Sequence, residues 1–349
     1  MNEDKRTDRD FRWGIWGTGT IANAFASDIQ ASEGMRIASV CSRSPETAEA
    51  FRVRIGANTA FSDCSAFLAD ANIDAVYIAT PSAMHVSQTL QTIAAGKPCL
   101  TEKPLALDPE GAKQIEAESK AQNIFAMEAM WSRFLPAIQA AKNHIDNGRI
   151  GKVTRIEADL SYCRAYDPQS RFFSAALGGG AAFDLGVYPV SLALYFLGLP
   201  NQVDGCWQRA ASGVDMRTEF ELSWTDAKAK LFCGFDRDGE NRMLIEGTKG
   251  ALVIHAPFLK AQRLTLFSAK AMRSSLDLKS GSGIIGKILG RLPLPGRTIE
   301  TYGFSGNGLQ FQAQAMRDAI RRGEISSPVM PLEHSAAVAD IVRTVLSKN

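Results

Sequence analysis

A tight glycine turn between a strand pattern and a helix pattern is the feature that most limits the fold of this chain. The apolar run RWGIWG leads directly into a G-x-G-x-x-A turn, formed by Gly17, Thr18, Gly19, Thr20, Ile21 and Ala22. In such a turn the first glycine permits the sharp bend, the second lets the backbone approach a pyrophosphate, and the small sixth residue lets the helix pack close to the strand. This context on both sides predicts a dinucleotide-binding loop rather than an ordinary strand-to-helix turn.

Short apolar runs alternate with helical patterns from Phe11 to Glu128. The runs are RWGIWG, MRIASVCS, IDAVYIAT, KPCLTE and NIFAMEA. This alternation predicts parallel strands joined by crossover helices. We therefore expect an α/β chain whose N-terminal domain, residues 11–131, is a Rossmann domain with a doubly wound parallel sheet, preceded by a flexible tail over residues 1–10.

The pattern changes after Gly151. In TEFELSWT the apolar residues Phe220, Leu222 and Trp224 share one side of a strand, and polar residues occupy the other. KAKLFCGF repeats this period, and MLIEGTKGALVIH indicates two strands joined by a turn. These runs predict a C-terminal α+β domain, residues 132–349, with a mainly antiparallel open sheet.

Two further expectations concern this second domain. Helices, including residues 188–197, should cover one face of the sheet, while the other face is free to pair with a second subunit in a homodimer or higher oligomer. Residues 268–300 contain Gly, Ser, Pro and several basic residues, which predicts a long loop or excursion.

Composition excludes several classes of function. The formal net charge of +2 argues against binding nucleic acid or a membrane surface, which needs a basic patch. The six cysteines are far apart and lack a CxxC pair, which is typical of reduced, mostly core thiols in a cytosolic protein. His144, His255 and His334 form no ligand set, so no metal is expected. The charged N-terminus is unlike a signal peptide, and no apolar run approaches the length of a membrane span, which predicts a cytoplasmic protein.

The end of the second strand indicates which dinucleotide the loop prefers. An NAD enzyme usually places Asp or Glu there to hold the ribose hydroxyls. This chain has Ser42 and Arg43 instead. A hydroxyl and a guanidinium can bind a 2′-phosphate that a carboxylate would repel, so NADP is expected and NAD is the less favoured alternative. A solvent-exposed arginine in a surface turn that binds no phosphate would give the same sequence pattern.

A lysine follows the strand KPCLTE. In an open parallel sheet the ligand crevice lies beyond the carboxyl ends of the strands, so Lys103 should be directed toward it. Pro104 raises the chance of a cis peptide at this position. A lone lysine at a strand end is nevertheless more often a surface charge.

Several stretches of the chain resemble the glucose-fructose oxidoreductase/inositol dehydrogenase/MocA family. These are the glycine turn, IATPSAMH with Thr80, Pro81 and His85, and AAGKPCLTEKPLA. EAMWSRFLP, GGGAAFDLGVYPVSLA and SPVMPLEHSAAVADIV look most like the branch that contains dimeric dihydrodiol dehydrogenases and NADP-dependent D-xylose dehydrogenases. The resemblance covers nearly the whole chain. It implies an NAD(P)-dependent dehydrogenase or reductase acting on CH-OH or CH-CH groups.

The resemblance also implies roles for three residues. The lysine of the Glu-Lys-Pro motif is catalytic in this family, and it falls on Lys103. Most members have a histidine where this chain has Tyr188, whereas the dihydrodiol branch has tyrosine. Asp184 and Tyr188, four residues apart at the start of a helix pattern, would share a helix face. Asp184 would orient substrate hydroxyls or the lysine, or would only cap the helix.

Tyrosine chemistry fits this assignment. Lowering the pKa of a tyrosine from about 10 to about 7 needs roughly 4 kcal/mol. One cation about 4 Å away supplies a comparable amount at an effective dielectric constant near 20. We therefore expect Tyr188 to act as acid and base with Lys103.

Other residues are weaker candidates, because core packing explains them as well. Trp131 and Arg133 follow the sixth strand, and the branch places an aromatic substrate wall at that tryptophan.

The cofactor candidates are Gly17, Thr18, Gly19, Thr20, Ile21, Ser42, Arg43, Thr80, Pro81, His85, Glu102, Lys103, Trp131 and Arg133. The substrate candidates are Trp131, Tyr162, Arg171, Phe172, Asp184 and Phe258.

These features predict an NADP-dependent oxidoreductase that moves hydride between the nicotinamide and a carbinol or carbonyl carbon of a sugar or cyclic diol. One alternative is a keto-sugar or anhydro-sugar reductase that uses the same residues in reverse. Another is an NADP-binding regulator without turnover. A regulator needs only the glycine loop and Arg43, so the presence of Lys103, Asp184 and Tyr188 favours an enzyme.

Overall fold

The computed structural model of the chain describes residues 9–274 and 295–348. These residues form two compact units, one within Met1–Trp131 and Ser305–Ala336, the other within Ser132–Phe304 and Ala337–Asn349. The segment Ser305–Ala336 packs with the first unit, whereas the sequence division places it with the second domain.

A buried carboxylate explains this return of the chain. Asp28, near the end of the first helix, is 2% exposed. It accepts hydrogen bonds from the amide nitrogens of Asn307 and Leu309 and from the side chain of Asn307, at 2.9 to 3.1 Å. A buried carboxylate requires such donors, and only a segment far along the chain supplies them.

The first unit contains a parallel six-stranded sheet with the strand order β3-β2-β1-β4-β5-β6. Its strands are β1 (Phe11–Trp16), β2 (Met35–Cys41), β3 (Thr59–Phe61), β4 (Ala75–Ile78), β5 (Cys99–Glu102) and β6 (Ala126–Ala129). Its helices are α1 (Thr20–Gln30), α2 (Pro45–Ile55), α3 (Cys64–Ala69), α4 (His85–Ala94), α5 (Pro109–Gln122) and α9 (Gln310–Arg321). The predicted doubly wound sheet is confirmed. The short elements β3 and α3 were not found, because they lack a clear apolar period.

The second unit contains a mixed, mostly antiparallel eight-stranded sheet with the strand order β14-β13-β12-β11-β7-β10-β9-β8. Its strands are β7 (Val153–Ser161), β8 (Gln202–Arg209), β9 (Asp215–Ser223), β10 (Lys228–Gly234), β11 (Met243–Gly247), β12 (Gly250–Ile254), β13 (Arg263–Ser268) and β14 (Arg297–Thr301). Among the strands that the structure describes in this sheet, only β7 and β10 pair in parallel. Its helices are α6 (Pro136–Asp146), α7 (Val187–Leu197) and α8 (Ala269–Ser274), and α10 (Leu332–Leu346) begins in the first unit and ends in the second.

The two faces of this sheet differ as the alternation predicts. Phe220, Leu222 and Leu231 are completely buried on the face that packs against α7. The opposite face carries ion pairs between neighbouring strands. Lys230 lies 2.5 Å from Glu219.

The long loop predicted over residues 268–300 has regular secondary structure at both ends. Its start forms α8, which packs on β12 and β13, and its end forms β14, which pairs with β13. Buried apolar residues of this part of the sheet, among them Val253 and Phe267, make α8 a covering element. Residues 275–294 lie outside the described residues.

Two further expectations need correction. The helical stretch Ala175–Leu197 is long and apolar enough to cross a membrane by length and composition, although 83% of its most apolar window is buried, as in the core helix of a globular protein. Of the six cysteines, three are buried, Cys64 is partly buried, and Cys163 and Cys206 are exposed, so half of the thiols, not most of them, lie in the core. Burial raises the pKa of Cys41 and Cys99 to about 12.

Candidate active site

The glycine turn of the first unit has the geometry that a diphosphate needs. Gly17 has a φ of +115°, and a Cβ there would lie 2.5 Å from the carbonyl oxygen of Ala79. Its amide donates to the carbonyl oxygen of Cys41 at 2.9 Å, which ties the turn to the end of β2. A Cβ on Gly19 would meet nothing within 4 Å. Gly17 is thus required by the fold, whereas Gly19 leaves open space in front of the helix.

The N-terminus of α1 is available to an anion. Gly19 is the N-cap residue, no side chain caps the helix, and the first turn, which includes Thr20 and Ile21, contains no acidic residue. The first amides of a helix have no partner within the helix, and the helix dipole favours negative charge there. Thr18 and Ile21 are half-buried and Thr20 is exposed. The turn therefore fits the pyrophosphate of a dinucleotide.

The end of β2 presents Ser42 and Arg43. The amide of Ser42 donates to the carbonyl oxygen of Phe61 at 3.1 Å, which fixes the backbone before Arg43. Ser44 caps α2 by accepting from the amide of Thr47. Arg43 is exposed and has no hydrogen bond or ion pair within the described part of the chain. Its guanidinium is free to bind a phosphate.

His85 joins two loops at the carboxyl edge of this sheet. It is 1% exposed, with Nδ1 2.8 Å from the carbonyl oxygen of Pro104 and Nε2 2.9 Å from that of Thr80. Burial lowers the pKa of His85, and the charge of Lys103 lowers it further, while the two carbonyl groups oppose this. His85 thus fixes the loop with Thr80 and Pro81 against the segment after β5.

Lys103 follows β5 directly, and its peptide bond to Pro104 is cis. Its amide donates to Oε2 of Glu102 at 3.2 Å, and the hydroxyl of Tyr77 donates to Oε1 of the same carboxylate. Burial raises the pKa of Glu102 to about 7, and the nearby Glu128 raises it too, whereas Tyr77 and Lys103 lower it. Glu128 accepts from the amide of Leu105 at 3.0 Å. Two buried carboxyl groups therefore support the backbone around Lys103.

Asp184 and Tyr188 of the second unit belong to one helical stretch, but its geometry is not uniformly α-helical. Ala182–Gly186 is a π-helical turn that continues into α7. Pro189 lacks an amide proton and its ring crowds the carbonyl group one turn earlier, which is a physical reason for the wider turn. Tyr188 is 7% exposed. The expectation of a shared face assumed an α-helix throughout.

Asp215, at the start of β9, binds the beginning of this helical stretch. Its Oδ2 accepts from the amide of Ala182 at 2.7 Å and from the hydroxyl of Thr218 at 2.8 Å. Gly180 has a φ of +118°, and a Cβ there would lie 2.1 Å from Oδ1 of Asp215. Asp215 therefore caps the start of this helical stretch. The Asp184 carboxylate lies 3.5 Å from the guanidinium of Arg171.

Arg133 is completely buried within the second unit. Its Nε donates to the hydroxyl of Ser191 at 2.8 Å, its Nη2 donates to the carbonyl oxygen of Ser191 at 2.6 Å, and its guanidinium lies over the ring of Tyr195. Arg133, a candidate cofactor residue, thus has a structural contact in this fold, because it binds Ser191 and Tyr195 of α7. Trp131, in the first unit, is 7% exposed.

The substrate candidates of the second unit fall into two groups. Tyr162, Arg171 and Phe172 lie in the segment between β7 and the π-helical turn. Arg171 lies over the ring of Phe172, and burial raises the pKa of Tyr162 while the charge of Arg164 opposes the shift. Phe258 is completely buried in a short 3₁₀ turn, and its amide donates to the carbonyl oxygen of Asn241. The structure thus brings Arg171 together with Phe172 and Asp184, places Tyr162 near the charge of Arg164, and leaves Phe258 in the core.

Sequence reasoning missed several residues of these networks. Asp215 was missed because an acidic residue at a strand start has no distinguishing pattern, although three glycines before a helix signal an unusual cap. Arg164 was missed although Tyr162 was named two residues earlier. In the described ranges no group of three or more His, Cys, Asp or Glu residues could hold a metal ion.

Two family models match the chain. Residues 11–129 match the model described as an oxidoreductase family with an NAD-binding Rossmann fold, and residues 138–253 match the GFO/IDH/MocA C-terminal domain. Together the matches cover more than half of the chain.

Curated and solved relatives extend over nearly all of it. The chain is 27% identical to trans-1,2-dihydrobenzene-1,2-diol dehydrogenase of Mus musculus, covering 95% of this chain and 94% of that protein. It is 26% identical to D-xylose 1-dehydrogenase (NADP(+)) of Hypocrea jecorina, covering 96% and 91%. The fold is similar to KijD10, a 3-ketoreductase from Actinomadura kijaniata solved with NADP and TDP-benzene, with a TM-score of 0.79, 22% identity and 97% coverage of both chains.

Proposed function

Because the chain belongs to the GFO/IDH/MocA family and is an oxidoreductase of the dehydrogenase and reductase type, we propose that it uses NADP to oxidise or reduce a sugar or cyclic diol. The observation that carries this proposal is the open, uncapped N-terminus of α1 behind Gly19. When bound there, the cofactor supplies or accepts the hydride. The names of the mouse and Hypocrea relatives support a diol or sugar as the substrate class.

The preference for NADP rests on Arg43. Its guanidinium is exposed and unpaired within the described residues, and Ser42 adds a hydroxyl at the same strand end. These two groups would hold a 2′-phosphate by charge-assisted hydrogen bonds. NAD lacks this phosphate and would lose those bonds. The name of the Hypocrea relative, which specifies NADP(+), supports the same choice.

The proton chemistry is assigned to Tyr188 and Lys103. In the oxidative direction the substrate hydroxyl loses a proton as its hydride leaves, and the Tyr188 phenolate accepts that proton. The Lys103 ammonium stabilises the phenolate and binds the substrate oxygen. Asp184 orients a second substrate hydroxyl as a hydrogen-bond acceptor. In the reductive direction the same residues serve in reverse, with Tyr188 as the acid.

The location and assembly of the protein are also proposals. We propose the cytoplasm as the location, and a homodimer or higher oligomer formed through the face of the second sheet opposite α7. The proposed partners are a small-molecule substrate and a second copy of the chain.

The test is cofactor binding followed by turnover. Fluorescence titration should show tighter binding of NADPH than of NADH, and a panel of sugars and vicinal diols with NADP⁺ should show formation of NADPH. Gly19→Val, which would place a branched side chain where the diphosphate should lie, should abolish binding, whereas Gly303→Val in a loop of the second unit, where a Cβ also meets nothing within 4 Å, should not. Binding without turnover on any member of the panel, or in reverse with the matching ketones, would favour a regulator instead.

A further inference from the structure

A pair of arginines lies beside Asp184 in the second unit. The segment between β7 and the π-helical turn carries Arg164 and Arg171, and both guanidinium groups contact the ring of Phe172, with their central carbons 3.7 and 4.2 Å from its centre. The Arg164 guanidinium also lies 5.3 Å from the ring centre of Phe235, which is completely buried. Aromatic contacts of this kind fix the plane of a guanidinium while leaving its N–H groups free.

The charge of Arg164 is not neutralised within the described residues. No carboxylate lies within ion-pair distance, no side-chain hydrogen bond is formed, and Nε is buried without an acceptor. The terminal nitrogens are not among the buried atoms, so their N–H groups face solvent. An arginine that is held by two rings but makes no hydrogen bond has the geometry of a binding group before its ligand arrives.

Arg171 is only weakly engaged. Its single ion pair with another described residue, Asp184, is 3.5 Å long, and two thirds of its side chain is exposed. A contact at that distance in a solvated position contributes little stability, so a ligand anion can compete for the guanidinium. The contact also places the arginine pair next to a residue that the proposed function assigns to the substrate.

We propose that Arg164 and Arg171 bind an anionic group of the substrate, so that the sugar or diol carries a carboxylate or a phosphate. This inference rests on the proposed function for the location of the substrate. The planar guanidinium fork fits both kinds of anion, and both form charge-assisted bonds with it. Tyr162, beside Arg164, supplies a further hydroxyl at the same place.

The experiment compares one sugar with and without the anion. The full-length protein, saturated with NADP⁺, is titrated by calorimetry with D-glucose, D-glucuronate and D-glucose 6-phosphate. At least one anionic sugar should bind with a Kd about tenfold or more below that of glucose. Glucuronate identifies a carboxylate and glucose 6-phosphate a phosphate as the preferred group.

Matched variants connect the preference to the arginine pair. Arg164→Met keeps the contact with the rings and removes the charge, so it should remove the preference for the anionic sugar. Arg209→Met should not, although Arg209 also lies over an aromatic ring, that of Trp207 in β8. If NADP⁺ does not bind to the protein, the same titrations without it still test whether the arginine pair binds the anionic sugar.

Two results would overturn the inference. The three sugars could bind equally, or show no binding up to about 10 mM. Alternatively, the anionic preference could survive in Arg164→Met. In either case, turnover of neutral sugars together with unchanged NADPH binding would leave the proposed function intact. A failure to bind NADPH would instead contradict the proposed function and leave the anion site to be judged by the titrations without cofactor.

Discussion

The Asp215 carboxylate binds the amide of Ala182 at 2.7 Å and so fixes the start of the helical stretch that carries Asp184 and Tyr188. The oxygen comes from the first residue of β9, more than thirty positions along the chain. Because Gly180 has a positive φ and its Cα approaches Oδ1 closely, the glycine turn and the carboxylate require each other. A helix that is capped from a neighbouring strand is tied to the sheet at its first turn.

Asp215→Asn should destabilise the protein. An asparagine keeps the size but replaces one charged acceptor by an amide, so we expect a loss of about 1 to 2 kcal/mol in the free energy of unfolding, measured by urea denaturation. Asp226→Asn, at an exposed turn position, should change it by less than about 0.5 kcal/mol. Equal stability of the two variants would show that the cap contributes nothing.

Arg43→Asp should narrow or reverse the preference for NADPH. Charge-assisted bonds to a phosphate contribute about 1.5 to 3 kcal/mol, so the ratio of the two dissociation constants should change by about tenfold or more. Fluorescence titration of NADPH and NADH measures it. Arg54→Asp makes the same change of charge on α2 and should leave the ratio unaltered. A wild-type protein that binds both cofactors equally would remove the basis of this prediction.

Tyr188→Phe should lower turnover by roughly 10²-fold or more, because the ring stays and only the proton acceptor is lost. NADPH affinity should remain nearly unchanged. Tyr195→Phe on the same helix is the control, and steady-state kinetics is the measurement. Near-normal turnover in the folded Tyr188→Phe variant would transfer the role of base to another group.

Lys103→Met should also reduce activity, and it should move the basic limb of any residual pH profile upward, because a cation that lowers the tyrosine pKa is removed. In the double variant with Tyr188→Phe the losses should be far from additive, since both changes disable one unit. Kinetics of the two single variants and the double variant measure this. Fully additive losses would mean that the two residues act independently.

The buried Glu102 should make stability depend on pH. Its pKa is raised to about 7, above the ordinary value of 4.5, chiefly by burial. Between these two values the unfolded chain has lost the proton while the folded protein keeps it, so stability falls as the pH rises from about 4.5 to about 7 and is then constant. Glu102→Gln should therefore gain thermal stability relative to the wild type across this window.

The control for that measurement is Glu118→Gln, at an exposed position of α5. Its difference from the wild type in unfolding temperature should be nearly constant from pH 5 to pH 8, as followed by circular dichroism. If the difference in unfolding temperature between Glu102→Gln and the wild type were also constant over this pH range, burial would not raise the pKa of Glu102 in the folded protein.

Self-association should occur through the ion-paired face of the second sheet. We expect light scattering at micromolar concentration to show a dimer or a higher oligomer. Lys230→Glu would place three like charges together with Glu219 and Glu221 and should weaken the association, whereas Lys113→Glu in the first unit should not. A wild-type protein that is entirely monomeric would refute the prediction.

The parallel sheet, the antiparallel sheet and the glycine turn could all be predicted from the sequence. Local chemistry decides each of them: alternating apolar residues specify strand faces, as for Phe220 and Leu222, and only glycine tolerates the backbone at Gly17. Ser42, Arg43 and Lys103 could be identified as candidates because they follow apolar strand patterns. Ligands of an open parallel sheet bind at the carboxyl ends of its strands.

The partners of the buried charged groups could not be predicted from the sequence and are seen only in the folded chain. Arg133 binds Ser191, Asp28 binds the segment at Asn307, and Asp215 caps the helix before Tyr188, each across a long stretch of chain. Nothing local in the sequence selects these partners. A buried charge must be paired, but any donor or acceptor that the fold brings near can satisfy it, and only the packed chain determines which one does.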